Sequence, residues 1–140
     1  MEDSILYIKV LIVDDHALSR EVTGDALRKY NVQKILNASD GQIAQTMIER
    51  AKIIGEPFDI VFLDWDMPVM PGIDVLKHFR ALPEYSNTAF IMLTAAARQG
   101  DVMEAIKAGA NTYIIKPVSR DAIGKRFMEI VEWVRKKRLE

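Results

Sequence analysis

Five short apolar runs, each followed by a stretch of helical spacing, constrain this chain more than any other feature. Lys9 to Val13, Phe58 to Leu63, Phe90 to Leu93 and Tyr113 to Ile115 are continuous rather than alternating, which suits strands covered on both faces. Lys34 to Ala38 is more polar and reads as an edge strand. Between the runs, apolar residues recur at helical intervals: Leu18, Val22 and Ala26; Ile43, Met47, Ile48 and Ala51; Ile73, Leu76 and Phe79; Val102, Ala105 and Ile106. The clearest stripe is the last, Ile123, Phe127, Ile130, Val131 and Val134. The order βαβαβαβαβα predicts an α/β domain with a five-stranded parallel sheet between two helix layers. Gly55-Glu56-Pro57 and Leu82-Pro83-Glu84 read as helix-to-strand turns rather than domain linkers.

The 140 residues suit one domain over 1–140, large enough to bury about two thirds of its unfolded surface. Zero cysteines exclude a disulfide framework and any thiolate metal site. A net charge of −1 gives no reason to expect nucleic acid as a partner. The start, Met1-Glu2-Asp3-Ser4, has no basic segment leading into an apolar one. No apolar run approaches the roughly 18 residues a membrane helix needs, so no membrane is expected and a cytoplasmic location follows.

Chemistry-bearing residues fall where the strand runs stop. Asp14-Asp15, Asp64, Thr94 and Lys116 would share one sheet edge, because ligands in parallel sheets bind beyond the carboxyl ends of the strands. A single Asp before a helix is explained by N-capping. An adjacent pair near Asp64 asks for more, since two like charges about 4 Å apart cost roughly 4 kcal/mol at an effective dielectric near 20. A cation removes that cost, and carboxylates without a cysteine or histidine cluster favour Mg²⁺. Asp64 reads either as a solvated strand end or as a nucleophile toward phosphorus. Its turn, Asp64-Trp65-Asp66-Met67-Pro68-Val69-Met70-Pro71-Gly72, is stiffened by two prolines. Thr94 is followed by Ala95, Ala96 and Ala97, small residues that start a helix well and also let a phosphoryl group approach. Lys116, held by the following Pro117, reads as surface charge or as a partner for Asp64 and for phosphoryl oxygens.

Taken together, the motifs resemble the receiver domains of two-component response regulators, including the single-domain chemotaxis and phosphorelay regulators. Val10-Leu11-Ile12-Val13-Asp14-Asp15, Asp64 with Met67-Pro68 and Gly72, Thr94-Ala95 and Lys116-Pro117 match in order and approximate spacing, over about residues 8–135. The resemblance implies a flavodoxin-like, doubly wound (βα)5 fold with strand order 2-1-3-4-5 and a cis Lys116-Pro117 bond. It implies a phosphorylation-activated switch in which Asp64 accepts a phosphoryl group from a histidine kinase or histidine phosphotransfer protein. Mg²⁺, with Mn²⁺ as a substitute, would be held by Asp15 and Asp64, by Asp14 largely through water, and by the backbone carbonyl of Asp66. Thr94 and Lys116 would contact the phosphoryl oxygens. Thr94 and Tyr113 would form the switch, reporting through the face of the fourth helix, fifth strand and fifth helix to a downstream protein, with a phosphorylation-dependent dimer as a further outcome. Tyr113 also reads simply as a half-buried edge-strand tyrosine.

Such a chain is not an enzyme on a separate metabolite; it catalyses only its own phosphorylation and dephosphorylation. No output domain is expected after residue 138, so output would pass through a partner unless the chain is an excised fragment of a longer regulator. Two alternatives stand beside this reading. A pseudo-receiver scaffold would bind without phosphorylation. A Mg²⁺-dependent phosphatase of the haloacid dehalogenase type would use Asp64-Trp65-Asp66 as its nucleophile motif, but there the acidic pair follows the lysine, whereas Asp14-Asp15 precede everything here. A carboxylate at Asp66 is expected to alter the lifetime of a phosphoryl group, and Ala96 offers no polar group to orient a hydrolytic water. His16 and His78 read as surface or packing residues. Arg135-Lys136-Lys137-Arg138 reads as a solvated helix end or a docking patch.

Overall fold

The computed structural model describes residues 7–32, 34–95 and 99–140. Strands β1 (Lys9–Val13), β2 (Lys34–Ala38), β3 (Ile60–Asp64), β4 (Ala89–Ala95) and β5 (Thr112–Lys116) alternate with helices α1 (Ala17–Arg28), α2 (Gly41–Ile53), α3 (Gly72–Arg80), α4 (Gln99–Ala108) and α5 (Arg120–Arg138). The strands form one parallel sheet in the order β2-β1-β3-β4-β5. The expected doubly wound, flavodoxin-like architecture is therefore present, and the Lys116–Pro117 bond is cis. Among the described residues no helix is long and apolar enough to cross a membrane.

Strand alternation divides the core in two. Leu11, Val13, Val61, Leu63, Phe90 and Met92 face one layer, where they pack with Ala44 and Ile48 of α2, Leu76 and Phe79 of α3 and Ala105 of α4. Val10, Ile12, Ile60, Phe62, Ile91 and Leu93 face the other, with Ala26 and Leu27 of α1 and the stripe of Ile123, Phe127, Ile130, Val131 and Val134 on α5. Two-sided burial is why these strands read as unbroken apolar runs.

Several details depart from the sequence expectation. β5 is the second edge of the sheet, as the strand order implies, and is not covered on both faces as its apolar run suggests; of Tyr113, Ile114 and Ile115 only Ile114 is buried, and Ile115 is exposed. On α1, Leu18 is 71% exposed and Val22 half-buried, while Thr23, Gly24, Ala26 and Leu27 form the buried face. Small side chains there allow close approach to α5, where Tyr30 meets Phe127 with ring centroids 5.5 Å apart. Ile43 and Ile106 are likewise exposed, their buried neighbours being Ala44 and Ala105. Phe58 is buried just before β3 begins. The Leu82-Pro83-Glu84 turn contains a single 3₁₀ turn, Pro83–Tyr85. Ala96 and Ala97, assigned to a helix start, lie outside the described residues, and Ala95 still belongs to β4.

Candidate functional site at the carboxyl edge of the sheet

β1 and β3 are neighbours, so the loop after β1 and the end of β3 place Asp14 beside Asp64. Both carboxylates are withdrawn from solvent, Asp14 fully and Asp64 to 2% exposure. Neither aspartate of the adjacent pair caps α1. The N-cap position belongs to His16, whose side chain makes no capping bond; instead the backbone N–H of His16 donates to Asp14 Oδ1 at 2.9 Å. Arg20, one turn into α1, donates to the Asp14 carbonyl at 2.7 Å and ties that loop to the helix.

Lys116 reaches the pair from the end of β5. Its Nζ lies 3.1 Å from Asp64 Oδ2 and 3.2 Å from Asp14 Oδ2, and it donates to Asp14 Oδ1 at 3.3 Å. These distances make ion pairs, yet both Oδ2 atoms remain without a hydrogen bond of good geometry, as does the buried hydroxyl of Thr94. Burial, and then repulsion from Asp14, raise the Asp64 pKa from 3.8 to about 7, against the lowering effect of Lys116. Burial pulls the Lys116 ammonium down, but Asp64 and Asp14 together outweigh it and the net direction is upward.

Asp15 is partly exposed, and with Asp14, Asp64 and the ring of His16 it presents four candidate ligand atoms within 4.8 Å of one another. Two carboxylates with buried oxygens that lack a hydrogen bond, Asp14 and Asp64, and a third at their rim, Asp15, match the donor set Mg²⁺ takes, one or two carboxylates supplemented by water and other oxygens. Asp66 is exposed and shares with Asp15 a cleft of about 570 Å³, also lined by Trp65, Met67, Pro68, Asp101 and Glu104. The turn leading there is held by Gly72, whose N–H donates to the Trp65 carbonyl at 2.8 Å. A Cβ on Gly72 would sit 2.1 Å from the Asp64 carbonyl oxygen.

Thr94 is the penultimate residue of β4. Register pairs Met92 with Tyr113 and Thr94 with Ile115, so the two-residue period directs Thr94 and Tyr113 to the same face of the sheet. Tyr113 is half-buried against the α2–α3–α4 layer. Its carbonyl accepts from Arg126 Nε at 3.2 Å, and the Arg126 guanidinium stands 5.7 Å from its ring centroid.

Sequence reasoning missed His16, Arg20 and Arg126. His16 Nδ1 lies 3.0 Å from Asp15 Oδ1, 3.3 Å from Asp14 Oδ1 and 4.0 Å from Asp64 Oδ2. Searching for a second histidine at helical spacing could not find it, because its companions come from the adjoining loop and another strand. Its position immediately after the acidic pair was the available signal.

The fold and site together define a parallel α/β domain with a buried acidic pocket and a lysine at its strand-order switch point. The chain belongs to the response regulator receiver domain family, whose pattern matches residues 10–128. It is similar to chemotaxis protein CheY-3 of Vibrio cholerae, 36% identical over 125 residues that span 89% of this chain and 92% of that protein. To chemotaxis protein CheY of Pseudomonas aeruginosa it is 33% identical, over 91% of this chain and 98% of the relative. Among solved structures it resembles Vibrio cholerae CheY4 (TM-score 0.76, 28% identity, 88% of this chain and 98% of the other). It also resembles the CheX–CheY–BeF3–Mg complex from Borrelia burgdorferi (TM-score 0.78, 29% identity, 89% of each chain).

Proposed function

We propose that this receiver is a phosphorylation-controlled binding switch whose acceptor is Asp64. The observation that carries the reading is the buried Asp64 carboxylate, 2% exposed at the switch-point edge, with Lys116 Nζ at 3.1 Å. An Asp64 oxygen attacks phosphorus; the bond from phosphorus to the donor's imidazole nitrogen breaks, and that nitrogen leaves with the bonding pair. Lys116 is within reach to move from the Asp64 carboxylate to a phosphoryl oxygen, exchanging one anionic partner for another. The Thr94 hydroxyl, buried without a hydrogen-bond partner, is free to donate to a second phosphoryl oxygen. Asp15 and Asp64 would hold Mg²⁺ directly, Asp14 largely through water and Asp66 through its carbonyl. When bound, the cation supplies charge neutralisation for the acidic pair and the incoming phosphoryl group. Mn²⁺, which takes similar oxygen ligands, would serve in its place.

Movement of Thr94 toward the phosphoryl group would alter the space available to Tyr113 on the same sheet face. Each of the three elements that would form the reading face carries an exposed apolar side chain: Ile106 on α4, Ile115 on β5 and Met128 on α5. A histidine kinase or histidine phosphotransfer protein as donor and a downstream protein as target fit this arrangement for a receiver acting in the cytoplasm, with self-association on phosphorylation as one form of output. The Borrelia complex, in which a CheY is held by CheX, is a precedent for partner binding by a relative.

Intact mass after incubation with acetyl phosphate and Mg²⁺ tests the proposal. One added phosphoryl group, absent from Asp64→Asn and from an EDTA control, is expected. A folded, Mg²⁺-binding protein that gains no mass from either acetyl phosphate or a phosphorylated histidine donor would leave the scaffold reading in its place.

A further inference from the structure

We propose that His16 is a nitrogen ligand of the cation site and biases it toward first-row transition cations over Mg²⁺. This rests on the cation-site reading above. Two independent observations support it. The Oδ2 atoms of Asp14 and Asp64 are buried without a hydrogen bond of good geometry, Lys116 Nζ standing 3.2 and 3.1 Å from them, so both keep lone pairs to offer a cation. The His16 ring, although 66% exposed and free to turn to water, is aimed at the acidic cluster, with Nδ1 3.0 Å from Asp15 Oδ1, 3.3 Å from Asp14 Oδ1 and 4.0 Å from Asp64 Oδ2.

Nδ1 is also in a contradictory position. The carboxylate oxygens require it to donate a proton, while the Lys116 ammonium, 3.5 Å away, requires it to accept one. A cation seated among these atoms resolves the conflict: Nδ1 and the carboxylates all become donors of electron pairs to one centre. The four ligand atoms already lie within 4.8 Å of one another, close to the spread that bonds of about 2.0–2.2 Å to a single ion require. Small movements of the exposed ring close the remainder.

The donor type then sets selectivity. An all-oxygen site suits Mg²⁺, whereas an imidazole added to carboxylates favours Co²⁺, Ni²⁺ and Zn²⁺, in line with the rising affinity of such sites along the first row. His16 does not touch the phosphoryl chemistry; it decides which cation occupies the pocket.

Isothermal titration of Co²⁺ and of Mg²⁺ into the whole chain, with the visible absorption of bound Co²⁺ as a second readout, tests this. The variants are His16→Ala, His16→Gln, His78→Ala and Asp64→Asn. The expected result is a fall of about tenfold or more in Co²⁺ affinity on removing the imidazole at 16, with Mg²⁺ affinity held within about twofold and His78→Ala unchanged. The Co²⁺ absorption should shift in His16→Ala and not in His78→Ala. An unchanged Co²⁺-to-Mg²⁺ affinity ratio in both His16 variants overturns the proposal while leaving the cation site intact. If neither ion binds the wild type, or Asp64→Asn leaves both affinities untouched, the cation-site reading itself fails, and the proposal with it.

Discussion

Lys116 Nζ stands 3.1 Å from Asp64 Oδ2 although their strands, β5 and β3, are not neighbours; the long side chain crosses the end of β4 to reach it. The ammonium lies within ion-pair distance of both buried carboxylates. Removing one member of a buried pair leaves the other charge uncompensated, which typically costs about 3–5 kcal/mol. Lys116→Met is therefore expected to lower the stability of the metal-free protein by roughly that amount at pH 8. The loss should shrink at pH 5, where Asp64 takes up a proton, and Mg²⁺ should restore much of it at pH 8. Urea unfolding at both pH values, with and without Mg²⁺, measures all three effects, and a cost independent of pH and Mg²⁺ would count against the electrostatic account.

The upward shift of Asp64 makes a separate prediction. Its carboxyl has a pKa of about 7 in the folded protein against 3.8 as its ordinary value, so the folded state holds the proton more tightly. The stability linked to that proton is fully present below pH 3.8 and is lost as pH rises through 7. Asp64→Asn removes the loss. The variant's stability relative to the wild type should therefore rise by on the order of 2–3 kcal/mol between pH 5 and pH 8 in the absence of divalent cations. Saturating Mg²⁺ should stabilise the wild type more than the variant at pH 8, because it binds the folded carboxylate form. Thermal unfolding of both proteins from pH 5 to pH 8 tests the sign directly: a difference that falls with pH would refute it.

Gly72 supplies a steric test. A Cβ there would lie 2.1 Å from the Asp64 carbonyl oxygen and 3.2 Å from Trp65 Cα. Both neighbours are backbone, so relief requires moving the end of β3, the segment that carries Asp64, the proposed acceptor. Gly72→Ala is expected to cost about 3 kcal/mol or more and to weaken Mg²⁺ binding in the fraction that folds. Gly100→Ala, where a Cβ meets nothing within 4 Å, is the matched control on α4 and should be close to neutral.

How far sequence anticipated structure depended on the kind of signal. Strands β1, β3 and β4 were legible because burial on both faces demands unbroken apolar runs. The site was legible because parallel strands deliver their last residues to one edge, which brings Lys116 to Asp14 across 102 positions. The phase of α1 was only partly legible: Ala26 is buried as its spacing suggests, but the rest of the face is Thr23, Gly24 and Leu27 in place of Leu18 and Val22, and a threonine and a glycine leave no apolar signal. The exposure of Ile115 was not legible, because Tyr113-Ile114-Ile115 is as apolar as a central strand and its edge position follows from strand order, not composition. The ring of His16 was the costliest omission; its direction is set by the backbone at an N-cap, which no periodicity reports.

Val69 concerns strain beside the site. Its φ is +70°, and the N–H of Met70 donates to the Pro68 carbonyl at 2.7 Å across it. An i to i+2 hydrogen bond around a positive-φ residue is the strained form of γ-turn, and a β-branched side chain is poorly suited to that region. Val69 is 76% exposed, so no packing compensates. Asn tolerates positive φ far better. Val69→Asn is accordingly expected to raise stability by about 1 kcal/mol, seen as a higher urea midpoint with an unchanged slope. Val69→Gly should gain less, because the flexible unfolded chain offsets part of the relief. If Val69→Asn lowers the midpoint, the loop draws on the valine side chain in a way that local strain does not describe.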